Sequence, residues 1–163
     1  MSRVVFGLFG FALIGGCSTS HEPCDGHRQE ISRLENELFD GTYTTVNGDV
    51  RSALMQAYAQ FANECHDADE TPEMLFRRAD LLRSAGRFQE AMTQLRDVHD
   101  HYAHYEKRAI CAFLVGFIAE EELNDRVQAK KTYEQVVELH PDSEAAEWAR
   151  LSLRAMEAEI DFD

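Results

Sequence analysis

The chain has 163 residues, of which 16 are Lys or Arg and 30 are Asp or Glu, so its formal net charge is −14 with the histidines neutral. Hydrophobic residues make up 44% and prolines number only 3, which excludes wholesale disorder and predicts one domain of ordinary size. Phosphate backbones repel so acidic a chain, and its basic residues form no dense cluster, so we expect no nucleic-acid partner.

The first predicted segment, residues 1–16, has the features of an export signal. It carries a positive charge at Arg3, an apolar run over residues 4–13, and no acidic residue. The run is too short to span a membrane as a helix, and small residues follow it, as they do at signal-peptide cleavage sites. Cys17 comes directly afterwards. The alternative is an ordinary secretory signal followed by an unrelated cysteine.

The residues Ile14, Gly15 and Gly16 before Cys17 resemble the lipobox of bacterial lipoproteins. In that family an aliphatic residue stands three positions before the cysteine and small residues fill the next two. The resemblance implies cleavage before Cys17, acylation of Cys17, and residues 17–26 as a lipidated tether. Ser18 is the residue that, in proteobacterial lipoproteins, implies export to the outer membrane. We therefore expect a lipid-anchored protein of the bacterial outer membrane, on its periplasmic face, with a surface-exposed orientation as the alternative.

From residue 27 onward the sequence predicts helices only. Ile31, Leu34 and Leu38 follow helical spacing, and a longer apolar stripe covers residues 50–65. Further helices are predicted over residues 72–84, 88–101, 107–123, 126–139 and 143–158. No segment alternates like a strand. Residues 27–163 are therefore predicted to form an all-α domain.

The apolar positions of these helices repeat along the chain. Tyr58, Leu95 and Tyr133 are 37 (58 to 95) and 38 (95 to 133) residues apart. The same spacings separate Phe61, Val98 and Val136. Two helices in about 34 to 38 residues, with a short turn between them, is typical of a helix-turn-helix solenoid.

Small residues and turn residues recur at matching places in these hairpins. The small and turn residues are Ala79, Gly86 and Ala91 in the second hairpin and Gly116, Ala129 and Pro141 in the third. A large apolar residue, Leu95 or Tyr133, follows four positions after each second-helix alanine. This pattern resembles the tetratricopeptide repeat family over residues 27–158. The resemblance implies a right-handed α-α solenoid of about three helical hairpins with a C-terminal capping helix. An unrelated antiparallel helical array with the same period is the alternative.

The run over residues 133–143, which contains Pro141, is similar to tetratricopeptide lipoproteins of Gram-negative envelopes. These include BamD-type assembly subunits and YbgF/CpoB-type periplasmic proteins, and the layout also resembles short tetratricopeptide lipoproteins of Bacteroidota. The resemblance implies a non-catalytic scaffold for a protein or peptide partner in the envelope, with outer-membrane assembly as one such role. The alternative is a self-associating spacer in which Ile31, Leu34 and Leu38 begin a coiled coil.

In this fold the first helices of the hairpins line a concave partner groove. The predicted groove residues are Phe76, Asp80, Arg83, Leu114, Ile118, Glu121 and Trp148. Packing against neighbouring helices competes with exposure at every apolar member of this set.

Motifs that carry catalysis are absent from the sequence. It contains no dinucleotide-binding glycine motif, no P-loop, no nucleophile elbow and no His-Glu-x-x-His helix, so we expect no enzyme, cofactor, small-molecule substrate or metal. His99, His101 and His104 lie near Asp97 and Asp100. Residues two apart on a helix point about 200° apart, which favours a solvated helix end over a metal site.

The cysteines supply a structural hypothesis. Cys24 precedes the first predicted helix and Cys65 ends the second, so an antiparallel hairpin places them side by side, where a disulfide is plausible. Two separate thiols, or a zinc site completed by His27 and His66, are the alternatives. Cys111 lies within an apolar helix and is predicted to be a buried thiol.

Overall fold

The regular structure is entirely α-helical in residues 22–39 and 48–160, which are the residues that the computed structural model describes. These residues form α1 (Glu22–Phe39), α2 (Gly48–Glu64), α3 (Thr71–Ser84), α4 (Phe88–His101), α5 (Arg108–Glu121), α6 (Arg126–Leu139) and α7 (Glu144–Ile160). Within them, no helix is both long enough and apolar enough to cross a membrane.

The helices lie where the apolar periodicity predicts them, with differences at their ends. α1 begins at Glu22 rather than at residue 27, so residues 22–26, predicted as tether, are helical. Cys24 and an ion pair between Asp25 and Arg28 (2.7 Å) hold this additional part of the helix. The predictions for residues 1–16 and for Cys17 lie outside the described residues.

The turns within the second and third hairpins need a left-handed backbone residue. Gly86 has φ 73°, a conformation without steric cost for glycine, and the N–H of Arg87 donates to the carbonyl of Leu82 (2.9 Å). After α5 the corresponding residue is Asn124, with φ 51°. Asparagine is one of the few other residues that visit this region. A local requirement of the turn therefore explains both residues.

Side chains cap the last two helices at their N-termini. Asp125 Oδ1 accepts a hydrogen bond from the N–H of Gln128 (3.0 Å) before α6, and Ser143 Oγ accepts one from the N–H of Ala146 (3.1 Å) before α7. Each cap satisfies a backbone donor that the helix itself leaves free.

The helices form successive hairpins, α1–α2, α3–α4 and α5–α6, and α7 packs against α6 and α5. Small side chains are buried where helices approach: Ala91 and Ala129 are completely buried. At Gly116 the approach is closer still, because an added Cβ would lie 2.7 Å from Cε1 of Tyr133. This architecture confirms the predicted all-α fold of repeated hairpins with a terminal helix.

The apolar side of α1 is buried inside the molecule. Ile31 is 2% exposed and Leu34 is 3% exposed, and Leu38 packs against the same core. This packing does not fit the alternative in which these residues begin an intermolecular coiled coil, because the first hairpin uses them for its own core.

Candidate functional site

Side-chain contacts connect the odd-numbered helices along one surface, which we call the odd-helix face. From α1 to α3, Arg77 Nη1 donates to Glu35 Oε1 at 2.7 Å. From α3 to the residue directly after α5, Arg83 Nη1 donates to Glu122 Oε1 at 3.4 Å. From α5 to α7, the ring centroids of Phe113 and Trp148 are 5.5 Å apart. These helices are the first members of the hairpins and the terminal helix. The face is therefore where the partner groove is predicted.

Glu73 is the centre of a hydrogen-bond network on this face. It accepts from Tyr105 O–H (2.6 Å), from Lys107 Nζ (2.7 Å) and from Arg77 Nε (3.0 Å). Burial alone would raise the pKa of Glu73, but the hydrogen bonds from Lys107, Tyr105 and Arg77 lower it to about 2. The carboxylate is thus ionised and fully engaged. This part of the face connects α3 to the start of α5 and has a structural role.

The α5–α7 part of the face carries an aromatic cluster, which we define as Phe113, Phe117 and Trp148. The Phe113 ring lies 5.5 Å from Trp148 in an edge arrangement, 6.3 Å from Phe117, and 5.4 Å from the buried ring of Tyr133, on which it stacks. All three members are partly exposed. Burial raises the pKa of Tyr133, whose O–H donates to Glu120 Oε2 (2.7 Å) and so fixes the ring beneath the cluster.

The groove residues predicted on α3 all lie on this face. Phe76 is partly exposed, and Lys107 Nζ lies 5.2 Å from its ring centroid, a cation–π contact. Asp80 is exposed. Arg83 lies between Asp80 (3.5 Å) and Glu122 (3.4 Å). On α7, the predicted Trp148 belongs to the aromatic cluster.

The groove residues predicted on α5 need correction. Ile118 is 1% exposed and lies in the core, so it cannot contact a partner. Leu114 is partly buried against the same core, whereas Glu121 is exposed. The partly exposed aromatic residues of this helix are Phe113 and Phe117, which the sequence prediction missed.

The error arises from the lengths of two turns. Residues 85–87 separate α3 from α4, whereas residues 122–125 separate α5 from α6. The second helices of these hairpins, α4 and α6, begin 38 residues apart (88 to 126), whereas the first helices, α3 and α5, begin 37 residues apart (71 to 108). Ala79 and Gly116, two small buried residues of α3 and α5, are 37 residues apart (79 to 116). Alignment on this pair would have matched Phe113 to Phe76.

The cysteine pair joins the start of α1 to the end of α2, since Cys24 lies in the first turn of α1 and Cys65 directly follows α2. Cys24 and Cys65 are joined by a disulfide with their Cα atoms 5.9 Å apart. Their sulfurs are therefore not free to form the alternative zinc site. Cys111 is a buried free thiol, as predicted, and burial raises its pKa to about 12.

The histidines near the end of α4 have different surroundings. The prediction of a solvated helix end is wrong for His99, because its side chain is only 13% exposed. Its Nε2 lies 3.0 Å from Nε2 of His140. His101 Nδ1 lies 2.9 Å from the carbonyl oxygen of Asp97, and His104 is exposed. In the part of the chain that the structure describes, no three His, Cys, Asp or Glu residues are grouped to hold a metal ion.

Comparison with known proteins identifies part of this architecture. The tetratricopeptide repeat family matches residues 111–143, which cover most of α5, the following turn and α6. No curated protein sequence matches the chain. The chain therefore contains a tetratricopeptide repeat, a unit that typically serves protein–protein interaction.

Proposed function

We propose that this protein is a non-catalytic scaffold that holds a protein or peptide partner on its odd-helix face. The aromatic cluster is the observation that carries this proposal. Phe113 contacts both Phe117 on its own helix and Trp148 on α7, and all three rings remain partly exposed. Clustered aromatic side chains at a surface are typical anchors of protein interfaces, where a few of them supply most of the binding energy.

The surroundings of the cluster indicate what it would hold. Tyr133 supports Phe113 from below, so the cluster offers a firm apolar surface. Glu121, exposed on the same helix, adds negative charge beside it. A peptide segment with a large apolar side chain next to a basic one would match both features.

The proposed location is the bacterial outer membrane, with the lipid on Cys17 as anchor and outer-membrane assembly as one role. The support comes from the signal-like residues 1–16 and the small residues before Cys17. Because α1 begins at Glu22, residues 18–21 alone separate Cys17 from the first described helix. Four residues span at most about 14 Å, so the helical domain would lie close to the membrane.

The test is the effect of Phe117→Ala on partner binding. A photo-crosslinking residue near the aromatic cluster first identifies the partner in intact cells, and the purified pair is then titrated. We expect Phe117→Ala to weaken binding about fivefold or more, since it removes an anchor without removing core packing.

Leu139→Ala is the matched control, because Leu139 is a 61% exposed apolar residue on α6, outside the odd-helix face. It should change the dissociation constant less than about twofold. Equal effects of the two substitutions would reject the aromatic cluster as the binding site.

A further inference from the structure

We propose that the cleft between the α2–α3 and α4–α5 loops is a second binding site, for a basic peptide segment. The cleft has a volume of about 830 Å³. One wall is formed by residues 66–69 with Pro72 and Glu73, and the other by residues 101–107. We call it the loop cleft. It is separate from the aromatic cluster, which lies on α5 and α7.

The first wall is held in place by covalent and buried contacts. Cys65, directly before it, is bonded to Cys24. Thr71, which lies between the two parts of this wall in the sequence, is completely buried and donates from Oγ1 to the carbonyl of Cys65 (2.6 Å). The N–H of Ala68 donates to the same carbonyl (2.9 Å). The loop is therefore held at both ends and at its middle.

The second wall is tied to its own helix and to the first wall. Arg108 Nε donates to the carbonyl of His99 (2.7 Å), which joins the two ends of the α4–α5 loop. Tyr105 and Lys107 both donate to Glu73 on the opposite wall. A cleft whose walls are fixed before binding loses little conformational entropy when a ligand enters. A volume of this size is also typical of sites that hold small ligands or a few side chains.

The charge of the lining selects a cationic ligand. Among the described residues that line the loop cleft, the carboxylates are Asp67, Asp69, Glu73 and Glu106, the histidines are His66, His101 and His104, and the only Lys or Arg is Lys107. His66 Nε2 lies 3.3 Å from Oδ2 of Asp67. The ammonium of Lys107 is already bound to Glu73. Asp69 and Glu106 have no hydrogen bond or ion pair in the described part of the chain, so their charges are available to a ligand.

The lining also offers apolar and aromatic surface. Tyr102 and Tyr105, which line the cleft, are partly buried, and Pro72 of the first wall is buried. Lysine and arginine side chains combine an apolar stem with a cationic head, and they bind well where carboxylates lie beside aromatic rings. An anionic ligand would meet uncompensated carboxylates on both walls. The loop cleft therefore fits a segment with closely spaced Lys or Arg residues.

The test is a titration of the whole chain, with its disulfide intact, by an acetylated and amidated tetralysine peptide, followed by amide NMR. We expect the largest shift changes at residues 66–69 and 101–107, and weaker binding as salt is raised. The tetraglutamate peptide is the probe of opposite charge and should not bind. Absence of tetralysine binding, equal binding of both peptides, or largest changes at other residues would overturn the proposal.

Matched variants separate the loop cleft from the general negative field of the protein. Asp69→Asn with Glu106→Gln removes two charges from the cleft, and both positions are exposed, so the fold should be retained. Asp97→Asn with Glu138→Gln removes the same charge from exposed positions on α4 and α6. We expect the first pair to weaken tetralysine binding about fivefold and the second less than about twofold. Equal weakening would show a diffuse electrostatic attraction and overturn the loop cleft as a site.

Discussion

At the scale of single residues, Gly116 determines how closely α5 approaches α6. An added Cβ there would lie 2.7 Å from Cε1 of Tyr133. The Tyr133 ring has little freedom to move, because it is buried, stacked under Phe113 and hydrogen-bonded to Glu120. Gly116→Ala should therefore lower the free energy of unfolding by about 1–3 kcal/mol, measured by urea denaturation, despite the better helix propensity of alanine.

Gly26→Ala is the matched control for this prediction. Gly26 lies in α1, is exposed, and has no atom within 4 Å of an added Cβ. Here the propensity gain is not opposed by overpacking, so the free energy of unfolding should rise by about 0.5–1 kcal/mol. If Gly116→Ala stabilises the protein as much as Gly26→Ala does, the close approach to Tyr133 is not a constraint.

A second prediction at this scale concerns Cys17. Cys17→Ser should abolish membrane association and the incorporation of labelled fatty acid in cells, because serine cannot form the thioether. Fractionation and acyl labelling measure both effects. Ser20→Ala, a nearby change that leaves the cysteine intact, should have no effect. A Cys17→Ser protein that still takes up label and stays with the membrane would refute the lipid anchor.

At the scale of elements, the disulfide attaches α1 to the rest of the molecule. Other links at this end include a hydrogen bond between His27 and Glu64 (3.0 Å), an ion pair of Arg28 with Glu70 (3.1 Å) and a cation–π contact of Arg28 with Phe61 (5.6 Å). Such contacts near the surface contribute modest stability. Reduction of the bond between Cys24 and Cys65, which are 41 residues apart, should therefore cost about 2–4 kcal/mol in unfolding experiments.

Alkylation before reduction provides the independent check on this bond. In the folded protein none of Cys24, Cys65 and Cys111 should react, and denaturation without reductant should expose Cys111 alone. Mass spectrometry of the labelled peptides distinguishes these states. Alkylation of Cys24 or Cys65 without reductant would contradict the disulfide.

The α4 and α6 helix ends are linked by the pair of His99 and His140. Their Nε2 atoms are 3.0 Å apart, so one ring nitrogen must lack a proton to accept from the other. Burial, with the nearby His99 and Arg108, lowers the pKa of His140. The ordinary histidine pKa is about 6.5. As the pH falls through this value, His140 becomes protonated in the unfolded chain before it does in the folded chain, so the free energy of unfolding decreases.

The measurement is urea unfolding between about pH 7.5 and pH 5.5, above the range where carboxylates titrate. The wild-type free energy of unfolding should fall with pH more steeply than that of His140→Gln, whereas His104→Gln, at an exposed position, should retain the wild-type slope. The same slope for wild type and His140→Gln would show that His140 does not couple protonation to folding.

At the scale of the whole molecule, the succession of helices follows from periodicity in the sequence. Apolar stripes with helical spacing and turn residues such as Gly86 are local signals, and they predict six of the helices within a few residues. The seventh, α1, begins earlier than its apolar stripe because the disulfide and the Asp25–Arg28 ion pair hold a polar first turn, Glu22–Asp25. The fold was thus predictable wherever stability arises from local periodicity.

The candidate sites were less predictable because they depend on relations between distant segments. The α5–α6 turn has one residue more than the α3–α4 turn, so a single repeat spacing matches the wrong α5 residues to those of α3. Ile118, which that spacing predicts on the odd-helix face, lies in the core. The contact between His99 and His140, and the loop cleft, join segments that are far apart along the chain. No local pattern specifies such distances. They follow only once the hairpins are packed against one another.

The packing of α1 also predicts the oligomeric state. Ile31 and Leu34 are buried in the first hairpin. The exposed side of the described α1 is polar apart from Phe39, and it carries Arg33 in ion pairs with Glu30 (2.8 Å) and Glu37 (2.8 Å). A coiled coil needs a continuous apolar seam, which this side does not provide. The lipid-free protein should therefore be a monomer.

Light scattering after size-exclusion chromatography, on the mature chain with Cys17→Ser, measures the mass directly. We expect the mass of one chain, independent of protein concentration, because no second copy is needed to cover α1. Ile31→Asp should then lower the midpoint of thermal unfolding without changing the mass, since it places a charge at a position that is 2% exposed. A trimer that Ile31→Asp converts into folded monomers would instead show that α1 associates between chains, and it would restore the spacer hypothesis.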